Sequence, residues 1–72
     1  MASRPEEVLQ ASVGKSVTVT MKNGKEYRGV LTGFDEFTNL SLADVEVLWE
    51  EGKRIPTLVI KGYTISLIAP QL

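Results

Sequence analysis

Carboxylates are the main side chains in this sequence that could carry out acid–base chemistry, because it contains no histidine and no cysteine. General-base and nucleophilic catalysis commonly depend on those two residue types. Asp35 and Glu36 are adjacent, so on a strand they would point to opposite faces. Asp44 and Glu46 could share a face, but solvated surface charges explain them better. The sequence also lacks a glycine loop of the Walker type. We therefore predict that the chain is not an enzyme.

The same absences limit how so short a chain can be stabilised. Without cysteine or histidine there are no disulfides and no thiolate or imidazole ligands for a structural zinc ion. We expect neither a metal nor a cofactor. The 72 residues form one domain at most, over residues 1–72, and such a domain buries only about 60% of its unfolded surface. Assembly with other chains is the remaining support, so we predict an oligomer.

Composition and charge argue against several classes of partner. Hydrophobic residues make up 43% of the chain and charged residues 24%, as in ordinary globular proteins. The formal net charge of −1 argues against a protein that coats DNA or lies on a membrane surface. No stretch approaches the ~20 apolar residues of a bilayer span, and the N-terminus lacks the apolar core of a secretory signal. We expect a cytoplasmic protein.

A short helix, at about residues 4–12, is predicted to precede the strands. Pro5 suits a first helical turn, where its missing N–H costs nothing, and the two glutamates that follow it lie at the positive end of the helix dipole. Strands are predicted between about residues 16 and 70. The first strand alternates between apolar and polar side chains, and Asn23-Gly24 after it is a strong signal for a hairpin.

The second and third strands are predicted to bend. Strand two runs from about residue 25 to residue 35 and contains Gly29 and Gly33. Glycines inside a strand often mark a bulge or a sharp bend. Strand three begins near Asn39, and a change of apolar parity along it places a second bend near Ala43-Asp44.

The last two strands, at residues 55–60 and 64–69, are short and apolar. The fold is therefore predicted to be mostly all-β: a short N-terminal helix, then a strongly bent five-stranded antiparallel sheet that closes into a small barrel. Leu58–Ile60 and Ile65–Ile68 contain no proline or charge that would block strand pairing. If these segments lie at the sheet edges, one edge can pair with the different edge of the next copy, and such heterologous contacts can close into a ring.

Two segments resemble the paired motifs of the Sm-like (LSm) protein family. Residues 29–40, Gly-Val-Leu-Thr-Gly-Phe-Asp-Glu-Phe-Thr-Asn-Leu, resemble the first motif, in which a strand glycine leads to Phe-Asp and then to Asn-Leu. Residues 60–65, Ile-Lys-Gly-Tyr-Thr-Ile, resemble the second motif, Ile-Arg-Gly followed by a polar and an apolar residue. The similarity covers roughly residues 4–70, and the short linker between the motifs is more similar to archaeal members than to eukaryotic ones.

This resemblance implies a bent barrel, self-association into a heptameric ring, with a hexamer as the alternative, and binding of single-stranded uridine-rich RNA at the inner rim of the pore. In the family, each subunit holds one base in a slot formed by the loops at the two motifs. One side chain stacks on each face of the base, and an asparagine hydrogen-bonds its edge. The bacterial relative Hfq carries Tyr-Lys-His in its second motif, whereas this sequence has no histidine.

Three residues of the first motif are predicted to build this site. Phe37 occupies the stacking position, and its ring can supply base stacking; a phenylalanine buried in the core is the alternative. Asn39 can donate to and accept from a uracil edge; a turn asparagine bonding its own backbone is the alternative. Asp35 would repel phosphates, so we expect it to accept hydrogen bonds from the Asn39 amide or from loop N–H groups without touching the RNA.

The second motif supplies three further RNA-binding candidates. Lys61 replaces the usual arginine and lacks the flat guanidinium that stacks well, so we expect weaker or less selective uridine binding. Gly62 allows close backbone approach or a positive φ, which a structural turn explains equally well. Tyr63 stands where the family usually has Asp or Asn. It could stack on a base or line the pore, but we favour packing on the neighbouring subunit.

The single tryptophan, Trp49, lies beside a turn predicted at Glu50–Gly52. We expect it to cover the end of the barrel, and an exposed anchor for a partner is the alternative. The charged residues that follow, Lys53 and Arg54, are predicted to be solvated.

The functional hypothesis is therefore an RNA-binding ring that acts as a chaperone or scaffold in RNA processing. Phe37, Asn39 and Lys61 would supply stacking, edge recognition and charge. The alternative is a structural or protein-interaction ring with weak or no RNA binding, which Lys61, Tyr63 and the acidic balance favour. A third reading is a monomeric small barrel that binds peptides.

Overall fold

The computed structural model of the chain describes residues 5–71. A helix, α1 (Pro5–Ser12), precedes five strands, β1 (Ser16–Met21), β2 (Glu26–Phe34), β3 (Leu40–Val47), β4 (Arg54–Ile60) and β5 (Ile65–Pro70), with a 3-10 helix (Gly62–Thr64) between the last two strands. The start predicted for the helix, residue 4, lies outside the described residues. No helix within residues 5–71 is long and apolar enough to cross a membrane.

The strands form one antiparallel sheet in the order β4-β3-β2-β1-β5. The predicted mostly-β fold with a short N-terminal helix is confirmed. The hairpin between β1 and β2 turns at Asn23-Gly24. Gly24 has φ +88°, which a residue without a side chain adopts at little cost. The Lys25 N–H donates to the Asn23 side-chain oxygen at 3.0 Å, and the turn fixes the register of the two strands.

The bends of β2 and β3 coincide with two shifts in their pairing register, the first at Gly29 and the second between Leu31 and Gly33. The pairing register shifts between Arg28, opposite Glu46, and Val30, opposite Ala43, so that Gly29 faces two residues of β3. A Cβ at Gly29 would lie 3.0 Å from the Ala43 carbonyl oxygen. The strands approach so closely here that any side chain at this position would require β3 to shift by a few tenths of an ångström. An extra residue on one strand increases the local bend, which curls the sheet as predicted.

Closure of the sheet into a barrel was wrongly predicted. β5 pairs with β1 and β4 pairs with β3, at opposite ends of the strand order. Within residues 5–71 no strand ladder joins β4 to β5. The bends curve the sheet enough to enclose a core, so burial of the apolar face does not require the last hydrogen-bonded ladder. Both outer strands therefore retain backbone groups that can pair with another chain.

The core lies on the concave side of the curved sheet, and α1 covers it. Leu9 of the helix is only 3% exposed, as an apolar residue on the inner face of a short helix should be. The buried cluster takes residues from the helix and from four of the strands: Leu9, Val17, Val19, Leu31, Leu40, Leu42, Val45 and Ile60. This packing holds the ends of β2, β3 and β4, from which the loops of both motifs project.

Trp49 packs against the sheet rather than standing free. Its ring meets the Tyr27 ring edge-on, with 4.9 Å between centroids and an interplanar angle of 74°. The Lys25 ammonium lies 5.0 Å from the Trp49 ring centroid, and 42% of Trp49 remains exposed. Since Tyr27 itself packs on the core, Trp49 covers one part of the sheet. The adjacent Lys53 pairs with Glu50 at 3.1 Å, and both side chains are more than half exposed.

Candidate nucleic-acid interface

The loop between β2 and β3 is organised by the side chain of Asp35. Its Oδ1 accepts hydrogen bonds from the backbone N–H groups of Phe37, at 2.9 Å, and Asn39, at 3.0 Å. Its Oδ2 accepts from the Asn39 amide nitrogen at 2.9 Å. An aspartate that accepts from N–H groups ahead of it in a turn is a common way to fix a tight loop. This loop holds Phe37 and Asn39 in place.

These contacts favour the ionised form of the Asp35 carboxylate. The hydrogen bond from the Asn39 amide holds the pKa of Asp35 below its usual value, although partial loss of hydration acts in the opposite direction. The backbone N–H groups of Asn39 and Phe37 and the positive charge of Lys61 lower the pKa further. At neutral pH the side chain is therefore a pure hydrogen-bond acceptor.

The amide of Asn39 connects the two motif loops. Its Oδ1 accepts the Gly62 backbone N–H at 2.8 Å, while its Nδ2 donates to Asp35. A backbone N–H can only donate and an ionised carboxylate can only accept, so the positions of the amide oxygen and nitrogen are fixed. A side-chain amide has two N–H donors and two acceptor lone pairs. One donor and one acceptor of Asn39 therefore remain for a ligand.

Gly62 allows the two loops to touch. A Cβ at this position would overlap the Phe37 carbonyl oxygen and would lie 2.9 Å from the carbonyl carbon and oxygen of Thr38. The φ of Gly62 is not in the left-handed region. Of the two roles predicted for this glycine, close backbone approach is the one the structure shows.

Two exposed aromatic side chains line the same cavity as the Asn39 amide. Phe37 is 72% exposed and Tyr63 is 74% exposed, so Phe37 is not a core residue. Both belong to an open cavity of ≈ 790 Å³ between the two loops. All the predicted RNA-contacting residues line it: Phe37, Asn39, Lys61, Gly62 and Tyr63. Thr38 and Ile65, which were not predicted, line it as well. We call this cavity the loop groove.

Thr38 and Ile65 were missed by sequence reasoning. Thr38 has φ 60°, a conformation that β-branched residues rarely adopt. The residue type therefore did not indicate that the loop turns there. Its position between Phe37 and Asn39, both predicted to bind RNA, was a usable signal for the site. Ile65 begins β5 directly after the second motif, and its apolar side chain indicated only a strand.

The loop groove offers stacking surfaces and hydrogen bonds rather than reactive groups. Within residues 5–71 no three acidic side chains are grouped so that they could hold a metal ion. Two aromatic faces, a fixed amide and one lysine are groups that bind the unpaired bases of single-stranded nucleic acid. The arrangement can hold a planar base by its faces and by one edge.

A bent five-stranded antiparallel sheet, capped by a short N-terminal helix and carrying two joined loops, defines a small β protein of the Sm type. The LSM domain family matches residues 7–70, and the chain belongs to this family.

Similar proteins cover almost the whole chain. An snRNP Sm-like protein of Pyrococcus abyssi is 42% identical over 97% of this chain and 96% of its own length. The structure of a Pyrococcus abyssi Sm protein in complex with a uridine heptamer has a TM-score of 0.85 and 37% identity, over 96% of this chain and 100% of that one. The P. aerophilum SmAP1 heptamer has a TM-score of 0.86 and 32% identity, over 100% and 99%.

Proposed function

We propose that this chain is the subunit of a heptameric ring that binds single-stranded uridine-rich RNA, one base in each loop groove. The ring acts in the cytoplasm as a chaperone or scaffold in RNA processing and catalyses no reaction. Residues 1–72 act as one Sm-like domain. Membership of the LSM family supports this proposal, as do the heptameric assembly of one similar protein and the uridine heptamer bound to another.

The observation that carries the proposal is the fixed orientation of the Asn39 amide. Asp35 accepts from its nitrogen and the Gly62 N–H donates to its oxygen, which leaves one N–H and one oxygen lone pair for a ligand. A uracil edge presents an N–H next to a carbonyl oxygen, which matches that remaining pair. Because the amide is already oriented, little side-chain entropy is lost when the base binds.

Exposed side chains on both outer strands support ring formation. Val59 on β4 is 63% exposed, and Leu67 on β5 is 60% exposed. Pairing β4 of one copy with β5 of the next would satisfy the open backbone edges and cover these side chains. Repetition would place identical grooves around one centre, where weak sites add through effective concentration.

Binding of a fluorescein-labelled oligouridine, measured by fluorescence anisotropy, tests the proposal. We expect Asn39→Ala to weaken binding by roughly tenfold or more, since the base edge and the loop contact are both lost. Asn23→Ala is the matched control, because Asn23 also organises a turn through its side-chain oxygen but lies outside the loop groove. Native mass spectrometry of each variant verifies that the ring persists.

Phe37→Ala is expected to weaken oligouridine binding by roughly 5- to 150-fold, the range that corresponds to the loss of one stacked base. Val13→Ala, at an exposed valine outside the loop groove, controls for the removal of apolar surface. An intact ring that binds neither oligouridine nor oligoadenosine would instead favour the structural or protein-interaction ring.

A further inference from the structure

The two motif loops contribute one exposed aromatic side chain each to the loop groove. Phe37 comes from the loop after β2, and Tyr63 comes from the 3-10 helix before β5. The loops are in backbone contact where Gly62 meets the Phe37 carbonyl oxygen. The Asn39 amide bonds the Gly62 N–H at the same junction. The aromatic pair therefore lines the same groove as an amide whose free groups can bind a base edge.

Tyr63 is held on a rigid segment. The Lys61 carbonyl oxygen accepts hydrogen bonds from the Thr64 N–H at 3.0 Å and from the Thr64 hydroxyl at 2.6 Å. The Thr64 carbonyl in turn accepts from the Lys22 N–H at 2.8 Å. The 3-10 helix that carries Tyr63 is thus fixed at both ends. Because the backbone that carries the ring is already fixed, the loop does not have to become ordered when a ligand stacks on Tyr63.

Lys61 is poorly suited to form one wall of a base-binding slot. Its ammonium is a compact charge on a flexible stem, without the planar surface of a guanidinium. Tyr63, the second residue after it, has a planar ring that is 74% exposed. The stacking surface on this side of the loop groove is therefore available from Tyr63.

We propose that Tyr63 is the second stacking wall of the site, so that an unpaired RNA base is held between the rings of Phe37 and Tyr63. This proposal rests on the proposed function and specifies how the same groove binds its ligand. It replaces the expectation that Tyr63 packs on a neighbouring subunit. Affinity then depends on two aromatic faces and the Asn39 amide, and Lys61 adds only a charge contact to the phosphate backbone.

Three substitutions at Tyr63 separate stacking from packing. Tyr63→Phe keeps the ring and is expected to bind labelled oligouridine within about twofold of the unmodified protein. Tyr63→Leu keeps an apolar side chain without a ring, and Tyr63→Ala removes both. We expect both of the latter to weaken binding by roughly 5- to 150-fold while native mass spectrometry shows an unchanged ring.

Two results would overturn this assignment. One is oligouridine binding that is unchanged in Tyr63→Leu and Tyr63→Ala while Phe37→Ala and Asn39→Ala remain defective, which leaves the proposed function intact. The other is dissociation of the ring in Tyr63→Ala that is prevented in Tyr63→Leu, which identifies Tyr63 as a packing residue. Failure of the unmodified ring to bind oligouridine would reject the proposed function itself.

The salt dependence of oligouridine binding tests the proposal that Lys61 adds only a charge contact. Neutralising one phosphate per site contributes about 0.7 to the slope of log affinity against log salt for a single strand. We expect Lys61→Gln to reduce this slope and to leave most of the high-salt affinity in place. Lys15→Gln, at an exposed lysine outside the loop groove, is the matched control. A loss of high-salt affinity in Lys61→Gln equal to that of Tyr63→Ala would contradict the proposal.

Discussion

At the scale of single residues, the geometry of the site depends on a carboxylate that orients an amide. Asp35 accepts three hydrogen bonds, and two of them come from Asn39. A side-chain amide can be rotated so that its oxygen and nitrogen exchange places. Because Asp35 can only accept and the Gly62 N–H can only donate, one of these two orientations is allowed at Asn39. The amide proposed to read the base is therefore oriented before a ligand arrives, and this proposal does not require Asp35 to touch the RNA.

This arrangement predicts a pH dependence of folding stability. Because its contacts lower the Asp35 pKa in the folded state below the usual 3.8, the carboxylate stabilises the fold above that value. This contribution is lost as the pH falls through the lowered pKa. We expect the stability difference between the unmodified protein and Asp35→Asn to shrink as the pH falls from about 6 to about 3. Thermal unfolding at each pH measures the difference.

Glu36→Gln is the control for this experiment, because Glu36 is the adjacent exposed carboxylate and accepts none of the three hydrogen bonds. A gap between the unmodified protein and Asp35→Asn that stays constant over the whole pH range would contradict the role given to the Asp35 charge.

The residues of the site were largely predictable, but their conformations were not. The Phe and Asn of the first motif and the Lys-Gly-Tyr of the second line one groove, and Asp35 bonds the Asn39 side chain. The left-handed backbone of Thr38 could not be foreseen, because β-branched residues rarely adopt it. The exposed position of Tyr63 likewise depends on how the 3-10 helix is anchored, which involves bonds between residues distant in sequence.

At the scale of elements, the contact between the two loops depends on Gly62. In Gly62→Ala the new Cβ would overlap backbone rather than a movable side chain, so the loops must separate and the Asn39–Gly62 hydrogen bond must break. We expect a loss of about 1–3 kcal/mol in the free energy of unfolding, measured by chemical denaturation, together with weaker oligouridine binding.

Gly33→Ala is the matched control for this substitution. A Cβ at Gly33 meets no atom within 4 Å, and its φ is not positive, so we expect a change within about 0.5 kcal/mol. Equal stability of the two variants would show that the loops are not held in the contact described.

The strands themselves were predicted well where the signal is local. The Asn-Gly turn and the glycine bulge depend on the backbone freedom of one residue, which the residue type reports directly. Closure of the sheet was wrongly predicted because it depends on whether β4 and β5 meet, and these strands have their partners at opposite ends of the sheet. Such long-range pairing leaves no local trace in the sequence.

At the scale of the whole molecule, the unclosed sheet gives a physical reason for the proposed assembly. A chain of 72 residues has a small core, and both of its outer strands leave backbone groups without a partner in the sheet. Neither Leu58–Ile60 on β4 nor Ile65–Ile68 on β5 carries the charges that guard isolated edges. The proposed ring satisfies both edges with one repeated contact, which also brings the loop grooves together.

A single charge on the β4 edge should therefore dissociate the ring. Val59 is exposed on β4 and pairs with Ser41 of β3, so Val59→Lys places an ammonium where β5 of the next copy is proposed to pack. Lysine on an edge strand is a common block to pairing. We expect native mass spectrometry to show single chains and oligouridine affinity to fall, because each groove then binds alone.

Val13→Lys, at an exposed valine outside both edge strands, should leave the ring intact. A ring that survives Val59→Lys would mean that the subunits meet through another surface, and the apolar β4 edge would then need a different partner.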